Sequence, residues 1–279
     1  MNWENAKSWL IVAFLVLNLA LGWQLYQSRQ EMLGYVEPYS DLLANTKTLL
    51  AQHDFSLVAS VPQDHPDLPS LHASLAVPSL GELTHTVFPT MKHPTIDNTL
   101  GTSDTSDGRI KILGEGIWQV MYQIPPSLSD HHLSSVLQSA WHGPDYLPDS
   151  ATSQDGAMVF LQHYQNYPVF DAELIVQTAP NQILGYTQSA ITDIVPVGDP
   201  KPIISALDAL DSLANAVDKS SQHTDNRILK LDLGYARKAA GGATGQGGSS
   251  SYWFPVWRVV TLSQVYYVNA LTGEVEVSS

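Results

Sequence analysis

The chain has no cysteine, which excludes disulfide staples, thiolate nucleophiles and cysteine-ligated metals. Basic residues are scarce as well: 13 Lys and Arg stand against 27 Asp and Glu, giving a formal net charge of −14. Such a surface forgoes the counterion release that dominates nucleic-acid binding, and anionic lipid headgroups repel it. Charged residues of both signs make up only 14% of the chain while 44% is hydrophobic. The polypeptide therefore has the means to bury a core and is not a disordered tail.

Catalytic signatures are missing too. There is no Ser-x-x-Lys, no Gly-x-Ser-x-Gly elbow and no His-Glu-x-x-His zinc helix. The stretch from Gly241 to Ser251 is rich in glycine but lacks the Gly-Lys-Ser/Thr ending of a phosphate loop, so it reads as a linker or loop. Among the 10 histidines the densest group is Asp130-His131-His132 with His142. On a helix, His131 and His132 point about 100° apart and His142 lies roughly three turns on, so they do not converge on a metal. His65, His72, His85 and His93 fall in a proline-rich region and keep a pH-sensing role open. Carboxylate pairs for glycoside hydrolysis are a matter of spatial separation, and no pair stands out. No catalytic, cofactor-binding or metal-binding residue is assigned, and no cofactor is expected.

What the chain does have is one long apolar run, from Ser8 to Tyr26, without a single charge. About 20 helical residues are needed to cross a hydrocarbon layer ~30 Å thick, and the run supplies them with Trp and Tyr near its ends. Ala20-Leu21-Gly22 loosely resembles a signal-peptide cleavage site, but Trp23 follows and the apolar character continues past it. The run is therefore read as an uncleaved transmembrane helix over 8–26, with a short cytoplasmic leader over 1–7 and the bulk of the chain outside. Phe14, Asn18 and Gly22 share one face of that helix at i, i+4 and i+8. There Gly permits close approach and Asn can hydrogen-bond to a second helix, which makes this face the candidate partner-binding surface.

Beyond the anchor, residues 27–52 read as a juxtamembrane helix or linker, with Leu42, Leu43, Thr46, Leu49 and Leu50 on one face after Pro38. A first α+β unit is expected over 53–148. It contains strands at Phe55–Val61, Arg109–Leu113 and Gly116–Ile124 and a helix capped by Ser127 or Ser129, while the prolines between Val61 and Asn98 leave that stretch unplaced. A second unit is expected over 149–279. Its strands are Phe160–Tyr164, Tyr167–Gln177, Gln182–Ile194, Arg227–Tyr235, Tyr252–Thr261, Val265–Asn269 and Glu274–Val277, with a helix opened by Asp199 and Pro200 or Pro202. The fold class is thus α+β: a transmembrane helix followed by two small antiparallel-sheet-plus-helix units. Trp257, Tyr266 and Tyr267 read as core or cross-strand packing residues. Alternation places Arg258 on the face opposite Trp257, where it is a possible partner surface.

Three segments carry a family resemblance. The leader Asn2-Trp3-Glu4-Asn5-Ala6-Lys7 with the anchor directly after it resembles the start of the YycI (WalI) family. Tyr167-Pro168-Val169-Phe170-Asp171-Ala172-Glu173-Leu174, leading to Gly185-Tyr186-Thr187-Gln188, is similar to that family's central hairpin. Pro255-Val256-Trp257-Arg258-Val259 followed by Tyr266 to Val275 is similar to its C-terminal hairpin, and also to the PepSY class of exported domains. The resemblance implies a non-enzymatic membrane regulator of the WalK (YycG) sensor histidine kinase in a Gram-positive-type bacterium, acting with the sister protein YycH on cell-wall metabolism. It also implies that the membrane helix contributes to the kinase contact. The alternatives are an exported cell-wall-active enzyme and a PepSY-like protease-inhibitory module.

Overall fold

The computed structural model describes residues 14–23, 38–90, 94–114, 116–217, 226–237 and 250–277. The chain divides into two compact units, Met1–Asn45 and Thr46–Ser279. In the first, residues 14–23 form helix α1 and all are exposed. The remainder of the apolar run lies outside the described residues, and no helix among them is long and apolar enough to cross a membrane.

The fold of the larger unit is mixed α+β and mostly sheet. In chain order its elements are α2 (Tyr39–Gln52, which begins in the first unit), β1 (Ser56–Leu57), β2 (Leu68–Leu75), α3 (Leu80–Val87), β3 (Thr95–Asp97), β4 (Thr102–Asp104), β5 (Gly108–Gly114) and β6 (Ile117–Tyr122). Then come α4 (Asp130–Ser139), β7 (Tyr146–Pro148), β8 (Ala157–Tyr164), β9 (Tyr167–Ala179), β10 (Gln182–Ser189) and β11 (Ile191–Lys201). The chain closes with α5 (Ala206–Ala216), β12 (Arg227–Arg237), β13 (Ser250–Thr261), β14 (Val265–Asn269) and β15 (Val275–Val277).

Local chemistry sets the helix starts. Ser79 and Ser129 accept the backbone N–H three residues on in α3 and α4, satisfying donors that a first helical turn leaves unpaired. Helix α5 opens on a full capping box between Ser205 and Asp208. That places its start after the Asp199–Pro202 stretch expected from sequence, because Asp199 and Pro200 still belong to β11. The strand expected over Gln182–Ile194 is in fact two, parted at Ala190, since β10 pairs with β9 and β6 whereas β11 crosses to β2. The buried Gln162 amide holds this parting: its Oε1 accepts from the Ile191 N–H at 2.9 Å and its Nε2 donates to the Ile191 carbonyl at 3.0 Å.

Helices cover the sheet in two places. Helices α3 and α4 pack on β5, β6, β9 and β10 through a core that includes Leu83, Val87, Ile110, Trp118, Val120, Val136, Leu174 and Tyr186. Helices α2 and α5 pack on β12, β13 and β14 through Leu50, Leu210, Leu213, Ile228, Trp257, Val259 and Val268. These cores do not follow the division at 148 and 149. Strand β10 pairs with β6, β9 with β10 and β8 with β9, and these strands complete the first core, while β2 pairs with β11 and β13 beside the second. One parallel bridge, Tyr235 to Val169, ties β12 to β9. A Cβ on the neighbouring Gly234 would lie 2.5 Å from the Pro168 carbonyl oxygen, so only glycine allows the two strands this close.

Leu210 is fully buried and Ile124 is 83% exposed. In denaturant titrations followed by tryptophan fluorescence, Leu210→Ala is expected to cost about 2–5 kcal/mol, against less than about 0.5 kcal/mol for Ile124→Ala.

Candidate functional site

The most developed site is a cleft of about 880 Å³ between the end of β7, the start of β9, the middle of β12 and the segment Pro62–Pro66. Its floor carries four charges. Arg258 on β13 is directly opposite Asp232 on β12 in the antiparallel register, so the two side chains leave the sheet on the same face. Arg258 Nη2 donates to Asp232 Oδ2 at 2.6 Å, and Nη1 donates to Asp149 Oδ2 at 2.7 Å. Lys230, two residues before Asp232 and hence on the same face, bridges both carboxylates, at 3.0 Å from Asp149 and 3.1 Å from Asp232.

Asp149 reaches this position because the chain turns sharply after β7. Its side chain accepts from the Ala151 N–H and the Thr152 hydroxyl, and its carbonyl accepts from the Ser153 hydroxyl. Burial by itself would raise the Asp149 carboxyl, but the hydrogen bond and charge of Arg258, with Thr152 and Lys230, outweigh it and hold the group well below the usual carboxylate range. The Arg258 guanidinium also sits 4.5 Å from the centre of the Phe170 ring, a cation–π contact strengthened by desolvation. Its Nε is buried without an acceptor among the described residues. Nearby Glu173 is shifted the other way: burial and the charge of Asp171 raise its carboxyl against the opposing pull of Arg258.

Chemically, the floor is a balanced set of two cations and two carboxylates. Each carboxylate is engaged by both cations, so neither is left to act as a free base and neither cation is left to capture an anion. Among the described residues no group of three or more metal-binding side chains converges.

The profile of one protein family, described as "YycI protein", matches residues 100–271, more than half of the chain. The chain belongs to the YycI family. The match covers β4 to β14 and so takes in Asp149, Lys230, Asp232 and Arg258. YycI proteins are non-catalytic regulators of the WalK (YycG) two-component system. No curated protein matches the chain. Among solved structures it is similar to an uncharacterized protein from Eubacterium rectale with a TM-score of 0.44 and 10% identity, over 80% of this chain and 85% of that one.

The residues singled out from the sequence of this YycI-family chain fall in two places. Phe14, Asn18 and Gly22 lie in the unit Met1–Asn45, exposed along one face of α1, with open space around the Gly22 Cα. Arg258 was expected on a surface and instead is only 2% exposed. Alternation had correctly set it opposite Trp257, but Phe170 and Asp149 cover that face of β13, so it is no contact surface. Trp257 and Tyr266 are core residues as expected, and the Trp257 indole N–H donates to the Ile204 carbonyl at 3.0 Å. Sequence reasoning missed Asp149, Lys230 and Asp232. One signal was available: a lone arginine inside an apolar, aromatic strand requires counter-charges, and Lys230-x-Asp232 shows the alternation that supplies one.

Removing Arg258 takes from the buried Asp149 its closer and better-buried cation and leaves it only the partly exposed Lys230. Arg258→Met is expected to destabilise the fold by about 3–5 kcal/mol in denaturant titration. The pH profile of stability gives a separate check. Because the folded carboxyl of Asp149 lies below its unfolded value of about 3.9, its contribution is complete above that pH and is lost as pH falls through and below it. Arg258→Met should flatten this acid limb of the wild-type curve.

Proposed function

We propose that the protein is a membrane-anchored, non-enzymatic regulator of a WalK/YycG-type sensor histidine kinase, acting with a YycH-like partner. In this reading residues 8–26 cross the cell membrane with the N-terminus inside, and the unit beyond Asn45 is extracytoplasmic. Membership of the YycI family carries the proposal. Two properties of the chain support it. The uncharged run from Ser8 to Tyr26 has the length of a span, and the four charges on the cleft floor, Asp149, Lys230, Asp232 and Arg258, neutralise one another.

The working surface of the anchor is the Phe14, Asn18 and Gly22 face. An amide facing lipid is unfavourable, whereas an amide facing another helix contributes about 0.6–2 kcal/mol. Asn18→Leu is therefore expected to change kinase output in a reporter strain while the outer unit keeps its thermal transition. Purification of the full-length protein from its native membrane should bring the kinase and the YycH-like protein with it, and Asn18→Leu should reduce the kinase recovered. Unchanged output with both Asn18→Leu and an unrelated spanning helix in place of 8–26 would remove the anchor from the mechanism.

A further inference from the structure

We infer that the cleft binds an extended peptide segment, which docks along β12 as an added strand and presents a basic side chain to Asp64. The inference does not rest on the regulatory reading, and the failure of either leaves the other standing.

The first observation is a break in the sheet. One edge of β12 is paired with β13 along nearly its whole length. The other edge is paired with β1 only at Arg227 and Ile228 and with β9 only at Tyr235. Leu229 to Gly234 lie between, and among the described residues no backbone hydrogen bond closes that edge. The cleft sits at this gap. Lys230, Leu231, Asp232 and Leu233 all line it, although successive side chains on a strand point to opposite faces. Because no strand among the described residues pairs with this stretch on its other edge, the backbone of these four residues borders the cleft together with their side chains. The cleft is therefore bounded by a row of backbone donors and acceptors, and the chemical class that matches such a row is another extended backbone. At ~3.3 Å per residue the gap accepts a short strand.

The second observation is charge. Asp149 and Asp232 are neutralised by Arg258 and Lys230. Asp64, exposed on the cleft wall, has no ion-pair partner among the described residues. A chain of net charge −14 also draws in cationic ligands from a distance. A small anion finds no free cation in the cleft, whereas an extended peptide with a basic residue finds both a backbone row and a carboxylate.

The test uses the full-length protein in detergent and a fluorescent, end-capped peptide of alternating valine and lysine, about seven residues long at the strand rise. Its controls are two forms of the same peptide, each N-methylated at the alternate amides of one of its two edges, and an analogue with glutamine for lysine. Three results are expected: saturable binding of the parent peptide, loss of binding on N-methylation of one edge, and slowed amide exchange at residues 229–234 when the parent is bound. Asp64→Lys should weaken the lysine peptide roughly fivefold relative to the glutamine analogue, as an exposed charge contact would. Absence of binding, equal binding of parent and both N-methylated forms, or amides at 229–234 already as protected as those of β13 without peptide would each overturn the inference. Equal effects of Asp64→Lys on the lysine and glutamine peptides would overturn the basic-residue assignment.

Discussion

A guanidinium taken out of water must be met by carboxylates, and this requirement at Arg258 organises the middle of the molecule. Transfer of an isolated charge to the interior is prohibitive, and a buried pair survives only where hydrogen bonds satisfy both partners. Arg258 draws its two carboxylates from distant parts of the chain. Asp232 is its cross-strand neighbour on β12, whereas Asp149 arrives from the turn after β7, 109 residues earlier. The pair with Asp149 thus links the β7–β8 edge of one part of the sheet to β13 in the other. Lys230 completes the arrangement from the rim, where water still reaches it.

The same region shows how the two helix-covered parts become one body. Strand β9 is long enough to serve both, carrying β8 and β10 and touching β12 through the single bridge at Val169 and Tyr235. Gly234 makes the approach possible, and a further cluster of Leu71, Ala73, Val169, Ile191, Tyr235 and Trp253 seals it. Because β9 meets β12 at one residue only, the sheet opens just before that bridge. The cleft is the geometric consequence of a long strand shared between two packing arrangements.

For a regulator, such an arrangement separates two tasks. A mutually neutralised set of four charges fixes the floor of the cleft in the unit Thr46–Ser279, while the apolar run lies near the N-terminus, far from it in the sequence. A cleft ending on open strand edge suits recognition of a polypeptide, since backbone pairing tolerates many sequences and side-chain pockets add selectivity.

Several elements were legible from local patterns alone. The hairpin β5–β6, the helix capped by Ser129, the hairpin β9–β10 and the final strands each carry their own signals of turn chemistry, capping and periodicity, which act over a few residues. Helix α3 was hidden because prolines on both sides masked a short helix, although Ser79 and Glu82 mark its first turn. The start of α5 was displaced because Asp199 and Pro200 resemble a helix opening, whereas pairing with β2 keeps β11 extended that far. Alternation correctly placed Arg258 opposite Trp257, yet it carries no information about what covers a face. The sequence by itself determined the apolar run, the α+β class, the family and the packing role of Trp257 and Tyr266. Only the tertiary structure decided that β2 joins the C-terminal strands, that Asp149 meets Arg258 and that β12 keeps an open edge. Those features depend on contacts between residues far apart in the chain, and local propensity does not encode which distant partner a strand edge or a buried charge will find.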